Sequence, residues 1–64
     1  MLALERAGYI MEQLQKKKVV LVKDLSSEMD VSEETIRKDL ERLEKKGSLC
    51  RVHGGAYLKE GYGN

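Results

Sequence analysis

Two hydrophobic rhythms alternate along the chain. From residue 2 to residue 17 apolar residues recur at helical spacing. Ala3, Ala7, Ile10, Met11 and Leu14 share a face with Leu4 at its edge, while Glu5, Glu12, Gln13 and Lys16 lie elsewhere. Lys16, Lys17 and Lys18 suit a helix C-terminus, where cations meet the negative end of the helix dipole. The rhythm then breaks into "VVLV", residues 19–22, a β-branched burst long enough only for a small strand. Residues 23–29 return to helical spacing, with Leu25 and Met29 on one face. Asp30 ends that segment, because aspartate is one of the few non-glycine residues that tolerate a left-handed backbone.

A third helix is predicted over 33–46. Ser32 is a good N-cap, and Glu33 and Glu34 sit where the dipole favours negative charge. The capping box is incomplete, since Thr35 stands where Glu or Gln would be needed. Ile36, Leu40 and Leu43 carry the inward stripe, and Gly47 is placed to terminate the helix. After it, "SLCRV" and "AYL" flank "HGG", which reads as a β-hairpin. Gly54 and Gly55 are both expected to supply positive φ at its turn and to let backbone amides approach a phosphate; an ordinary hairpin turn is the plainer reading. "KEGYGN" reads as the start of a linker.

The order helix, strand, short helix, tight turn, longer helix, hairpin predicts a mainly α fold with a small β-sheet. It is the order of a winged helix-turn-helix: three helices plus a short antiparallel β-wing. The hairpin is expected to pair with residues 19–22, so that helices and sheet share one apolar centre. A chain of 64 residues needs that economy, because it buries only about 60% of its unfolded surface. Pro, Trp and Phe are absent, which leaves Leu, Val, Ile, Met and Ala to fill the core.

In a helix-turn-helix the second helix of the unit enters the DNA major groove with its N-terminal part leading. With Ile36, Leu40 and Leu43 inward, the outward side centres near Lys38 and Lys45. Glu34, Glu41 and Arg42 flank it, and Thr35 and Arg37 lie on its shoulders near the leading end. Ser32 can bond a phosphate at the helix entrance, where free N–H groups favour an anion. Thr35 can bond a phosphate or touch a thymine methyl, and Arg37 or Lys38 can reach guanine O6 and N7 or a phosphate. The bland alternative is that Ser32 only caps and that Thr35 and Arg37 are solvated. Glu34 and Glu41 count against a purely electrostatic grip and are spaced to pair with Lys38 and Lys45 at i,i+4.

Charge adds little in sum and more in distribution. Twelve basic and eleven acidic residues give +1, which does not announce a polyanion partner. Residues 45–59, however, hold Lys45, Lys46, Arg51, Lys59 and His53 with no acid: either a basic wing or a solvated tail. Arg51 either contacts phosphate or pairs with an acid of the third helix. His53 either reaches phosphate or the minor groove, or packs the turn. Cys50 and His53 make half a metal site with no second Cys or His to complete it, so neither metal nor cofactor is expected. No nucleophile stands beside a base, so no enzyme is expected. The lone cysteine excludes an internal disulfide and suits a reducing compartment. No apolar run approaches the roughly 20 residues of a membrane span, and the N-terminus lacks a signal-peptide pattern. These features point to the cytoplasm.

The string "VSEETIRKDLERLEKKGSLCRVHGGA", with "ER…I…L" before it and "V.VKDL" between, resembles the N-terminal DNA-binding domain of the DeoR family of bacterial transcriptional regulators. The likeness runs from about Leu2 to Leu58, and its most specific parts are "VS.ETIR.DL..LE..G" and "R.HGGA". It implies a winged helix-turn-helix DNA-binding domain over 1–58 and, over 59–64, the start of a linker to an absent C-terminal effector domain. It also implies sequence-specific binding of double-stranded operator DNA. Helix 33–46 would lie in the major groove and the wing near 51–57 on the backbone or minor groove. Contacts carry over to Ser32, Thr35, Arg37 and Lys38 on the helix, and to Arg51, His53 and Gly54 on the wing; Arg42, flanking the outward side, joins the candidates.

The family usually represses genes of sugar or nucleoside metabolism. It senses a phosphorylated sugar or related effector only through its C-terminal domain, which also mediates oligomerisation. The present chain is therefore read as an excised domain, monomeric by itself, from a homo-oligomeric parent. Two residues depart from the pattern. Ser26 stands where Ala is common, and its hydroxyl is expected to bond a backbone carbonyl one turn earlier. Asp30 replaces a Gly or Asn-like turn residue. The competing reading is a winged-helix protein-interaction module that binds no DNA, for which the near-zero net charge is the best argument.

Overall fold

The computed structural model describes residues 2–59. Helix α1 spans Ala3–Lys17, strand β1 Val19–Leu21, helix α2 Val22–Met29, helix α3 Glu33–Lys45, strand β2 Leu49–Val52 and strand β3 Gly55–Leu58. The predicted order holds, with small shifts in the bounds: Val22 is the first residue of α2 and not the last of the strand, α3 stops at Lys45, and Gly55 opens β3 instead of belonging to the turn. The expected linker falls mostly outside the described residues.

Each helix ends by a device that its residues explain. Lys18 takes a left-handed backbone (φ 72°) and donates its N–H to Leu14 O at 2.8 Å, so the lysine run closes α1 as well as complementing its dipole. Asp30 is left-handed too (φ 54°), as its residue type allows. Ser26 O accepts the N–H of Val31 at 3.1 Å, and Ser26 Oγ donates to Val31 O at 2.5 Å. The Ser26 hydroxyl thus bonds forward across the turn, not back by one turn as expected, and it fastens the turn that sets α3 against α2. At the far end of α3, Gly47 (φ 83°) allows a Schellman closure: Gly47 N–H reaches Glu44 O at 2.9 Å and Ser48 N–H reaches Leu43 O at 3.0 Å.

The sheet is antiparallel with strand order β1-β3-β2. Val20 faces Ala56, and Arg51 faces Ala56 from the other side. Helices and inner sheet face enclose one core: Ile10 and Leu14 from α1, Val20 from β1, Leu25 and Met29 from α2, Ile36, Leu40 and Leu43 from α3, Leu49 and Ala56 from the hairpin. The N-terminal turn of α1 overhangs this core. Leu4 is therefore exposed and Ala3 with it, while Ile10 and Leu14 are fully buried on the same helix.

The two wing glycines have different tasks. Gly54 alone has positive φ (82°) and makes the two-residue turn with His53. Gly55 belongs to β3, where a Cβ would stand 2.1 Å from Val20 O, so it is required by close strand approach. Gly54 O accepts the N–H of Val22 at 2.8 Å, satisfying an orphan donor at the start of α2 and tying the wing tip to the helix-turn-helix.

Candidate nucleic-acid interface

The leading end of α3 is built by Ser32. Its Oγ accepts the N–H of Thr35 at 3.1 Å and lies 2.9 Å from Thr35 Oγ1, so both hydroxyls gather at the positive end of the helix. Both can still turn toward an anion, since Ser32 is exposed and Thr35 half-buried. One turn on, Arg37 and Lys38 are exposed. Arg37 Nη2 donates back to Glu33 Oε1 at 3.0 Å. The i,i+4 pairing on this helix thus occurs at 33 and 37. Lys38 and Lys45, the expected partners of Glu34 and Glu41, form no ion pair among the described residues.

Between α3 and the hairpin runs a groove of about 460 Å³. Arg37 stands on the helix lip; Arg51, Val52, His53 and Gly54 form the wing lip; Val22 and Leu40 are part of its apolar lining. Four of the residues singled out from sequence, Arg37, Arg51, His53 and Gly54, therefore line one concavity. Ser32, Thr35 and Lys38 continue the same helix at its leading end without lining the groove. Of the two readings left open for Arg51, the structure has the ion pair: Nε lies 3.6 Å from Glu44 Oε1, and the Arg51 backbone N–H donates to Glu44 Oε2 at 3.0 Å. That carboxylate also covers an amide of an edge strand.

Arg42 is placed apart. Its Nη1 lies 3.5 Å from Asp39 Oδ1, and it borders a shallow hollow with Ala3, Leu4 and Ala7, on the α1 side of α3. Asp39 itself is the residue that sequence reasoning missed. It is buried and takes a forked contact from Arg6 of α1, Nε to Oδ2 at 2.5 Å and Nη2 to Oδ1 at 3.2 Å. This hydrogen bond holds the Arg6 guanidinium above the ordinary arginine value, against the opposing pull of burial. A signal was present: Asp39 lies three residues after Ile36 and four before Leu43, on the inward stripe, where a carboxylate demands a partner. Among the described residues no buried side-chain polar atom lacks a hydrogen bond, and no cluster of His, Cys, Asp and Glu could hold a metal ion. No helix there is long and apolar enough to cross a membrane.

Residues 6–61 match the DeoR-like helix-turn-helix domain. The chain is 48% identical over 56 residues to FruR of Bacillus subtilis, an uncharacterized HTH-type transcriptional regulator, covering 88% of this chain and 22% of that protein. It is 43% identical over 58 residues to the HTH-type transcriptional regulator GolR of Listeria innocua, covering 91% and 23%. It is 41% identical over 53 residues to the lactose phosphotransferase system repressor of Lactococcus lactis, covering 83% and 21%. The chain thus spans about a fifth of the length of these relatives. No solved structure matches significantly. These relatives are transcriptional regulators, and nothing in them favours a protein-interaction module.

Proposed function

The chain belongs to the DeoR-like helix-turn-helix domain family, a DNA-binding family of transcriptional regulators, and on that premise we propose how it grips its operator. Helix α3 enters the major groove from its Ser32 end, and the β2–β3 turn follows the adjacent backbone or minor groove. The observation that carries this reading is the shared groove: Arg37 on the helix lip and Arg51, His53 and Gly54 on the wing lip face one concavity. Arg37 reads a guanine edge through its fork. Lys38, Ser32 and Thr35 hold phosphates, with the Thr35 methyl available to a thymine. His53 and the Gly54 amide meet the backbone beside the wing. Arg42, on the α1 side of α3 and away from the helix–wing groove, contacts a phosphate by leaving Asp39.

The domain covers residues 1–58, and residues 59–64 begin a linker to a C-terminal effector domain. The parent is a cytoplasmic, non-enzymatic repressor and a homo-oligomer. It controls genes of carbohydrate or nucleoside use and answers to a phosphorylated sugar bound by that further domain. The support is the family match together with the likeness to a lactose phosphotransferase system repressor.

One domain reads one half-site, so the isolated chain should bind duplex weakly, on the order of 10⁻⁴–10⁻⁶ M at physiological salt. An NMR titration with random and selected duplexes tests the geometry. Residues 32–38 and 51–55 should shift together, and affinity should fall with salt at a log–log slope of about −0.9 per phosphate engaged. Flat affinity from low to physiological salt, or shifts confined to α1, would refute the reading.

A further inference from the structure

All the arginines of this chain carry a carboxylate partner: Arg6 and Arg42 at Asp39, Arg37 at Glu33, Arg51 at Glu44. No lysine does so among the described residues. Two of these pairs, Arg37–Glu33 and Arg51–Glu44, engage arginines that line the helix–wing groove, one on each lip. Both are open to water, with each of the four side chains between about two fifths and three fifths exposed. A domain built only to attract phosphate has no use for acids at these places.

We propose that Glu33 and Glu44 are specificity-determining residues: they hold Arg37 and Arg51 until a duplex supplies acceptors that replace them. The inference rests on the DNA-binding reading above. A carboxylate offers an arginine fork the same two-acceptor geometry as a phosphate or the O6/N7 edge of guanine. Binding is therefore an exchange and not a simple gain. A duplex of the right sequence and groove shape replaces both carboxylates with well-placed acceptors. A random duplex replaces them poorly, and its phosphates approach two negative charges that are no longer neutralised. The acids weaken every complex, and weaken the wrong ones more, which is how repulsive elements create discrimination. The chain's near-zero net charge fits this design: affinity for DNA in general is held down so that sequence counts. Glu44 has a second task, since it also receives the Arg51 backbone N–H, and an amide oxygen can keep that bond.

The test compares Glu33→Gln, Glu44→Gln and Glu12→Gln in the 64-residue chain. Each removes one negative charge, but Glu33 and Glu44 pair with arginines that line the groove, whereas Glu12 lies on α1 and pairs with neither of them. Fluorescence-anisotropy titrations use a random-sequence duplex pool and a duplex obtained by selection, across a salt series. The two groove variants should bind the random pool about two- to fivefold tighter. They should gain less on the selected duplex, so that the selected-to-random ratio falls. Their salt slope on the pool should steepen by about 0.9 for each arginine released to a phosphate. Glu12→Gln should leave the ratio where it was. Ratios unchanged in both groove variants, or lowered equally by Glu12→Gln, would overturn the proposal. Thermal melting checks whether Glu44→Gln loosens the wing; if it does, Glu33→Gln decides alone. A parent chain that fails to prefer the selected duplex would sink the DNA reading itself, a result distinct from intact preference with indifferent glutamines.

Discussion

Helix α3 makes arginine–carboxylate contacts on two of its sides, and burial separates them more than chemistry does. Toward α1, the Asp39 side chain is 3% exposed and that of Arg6 14%. Toward the groove, Arg37 and Glu33 are 59% and 49% exposed. An ion pair in water contributes little and is screened by salt, whereas a buried one is costly to break because it strands a charge in a poor solvent. The same bond therefore fixes the helix on one side and can be exchanged on the other. Arg6–Asp39 joins α1 to α3 through residues 33 positions apart in sequence. Arg37–Glu33 lies within one helix and fixes nothing beyond a side chain.

The sharpest way to break this contrast is Arg6→Leu. It leaves the Asp39 carboxylate buried with only the 3.5 Å contact to Arg42. The melting temperature should fall on the order of 10 °C or more, the largest effect among the charged positions. The double variant Arg6→Leu/Asp39→Leu should recover part of that loss, since an apolar pair of similar volume avoids the stranded charge. Circular-dichroism melts of the two proteins decide it. A single variant that melts with the parent would make the buried pair no different from the exposed ones.

On the other side the expected effects appear in binding and not in folding. Arg37→Ala should cost about 1–3 kcal/mol on a selected duplex and relax preference at one or two base positions. Its stability should stay within about 0.5 kcal/mol of the parent. Lys38→Ala should do less. A uniform weakening across sequences is expected, with the salt slope shallower by about 0.9, as for a lost phosphate contact. Competition titrations against duplexes varied one base pair at a time separate the two behaviours. If Lys38→Ala relaxes base preference and Arg37→Ala does not, their roles are reversed and the groove does not mark the reading residue.

How much of this was legible in the sequence follows the same division. The elements were legible because each rests on local chemistry: Ser32 caps, Gly47 closes, Asp30 turns, and Ile36, Leu40 and Leu43 repeat at helical spacing. The approach of Arg37 to the wing was legible in outline, since the predicted topology places the hairpin beside α3. The partner choices were mostly not, although pairing of Arg51 with an acid of the third helix was one of its two readings. Asp39 lies on the inward stripe and so calls for a partner, but Arg6 is 33 residues away and nothing local names it. The pairing occurs at 33/37 in place of 34/38, a choice that spacing rules do not carry because both pairs are i,i+4. Gly55 was read as a turn glycine, because the 2.1 Å approach of Val20 O exists only once β1 lies beside β3.

The smallest effect tests whether burial, and not membership in the scaffold, is what separates the two kinds of contact. Tyr9 of α1 donates to Glu28 of α2 at 2.7 Å, joining two scaffold helices through an exposed bond. That hydrogen bond, helped by partial burial and the nearby Glu28 and Glu12 charges, raises the phenol above the ordinary tyrosine value. A raised value for a group that is neutral when bonded sets the sign. Its contribution is fully present below the unfolded tyrosine value near 10 and is lost as pH rises through the folded value. Tyr9→Phe should therefore be slightly less stable than the parent at neutral pH, with the gap closing above about pH 10. Tyr57, raised mainly by a hydrogen bond to Cys50 across the strands, is present in both proteins and cancels in the difference. Denaturant titrations from pH 7 upward measure the gap. A gap independent of pH would mean that the bond contributes nothing through its proton. A gap as large as that of Arg6→Leu would mean that an exposed scaffold contact holds as firmly as a buried one, and the division between the two sides of α3 would lose its cause.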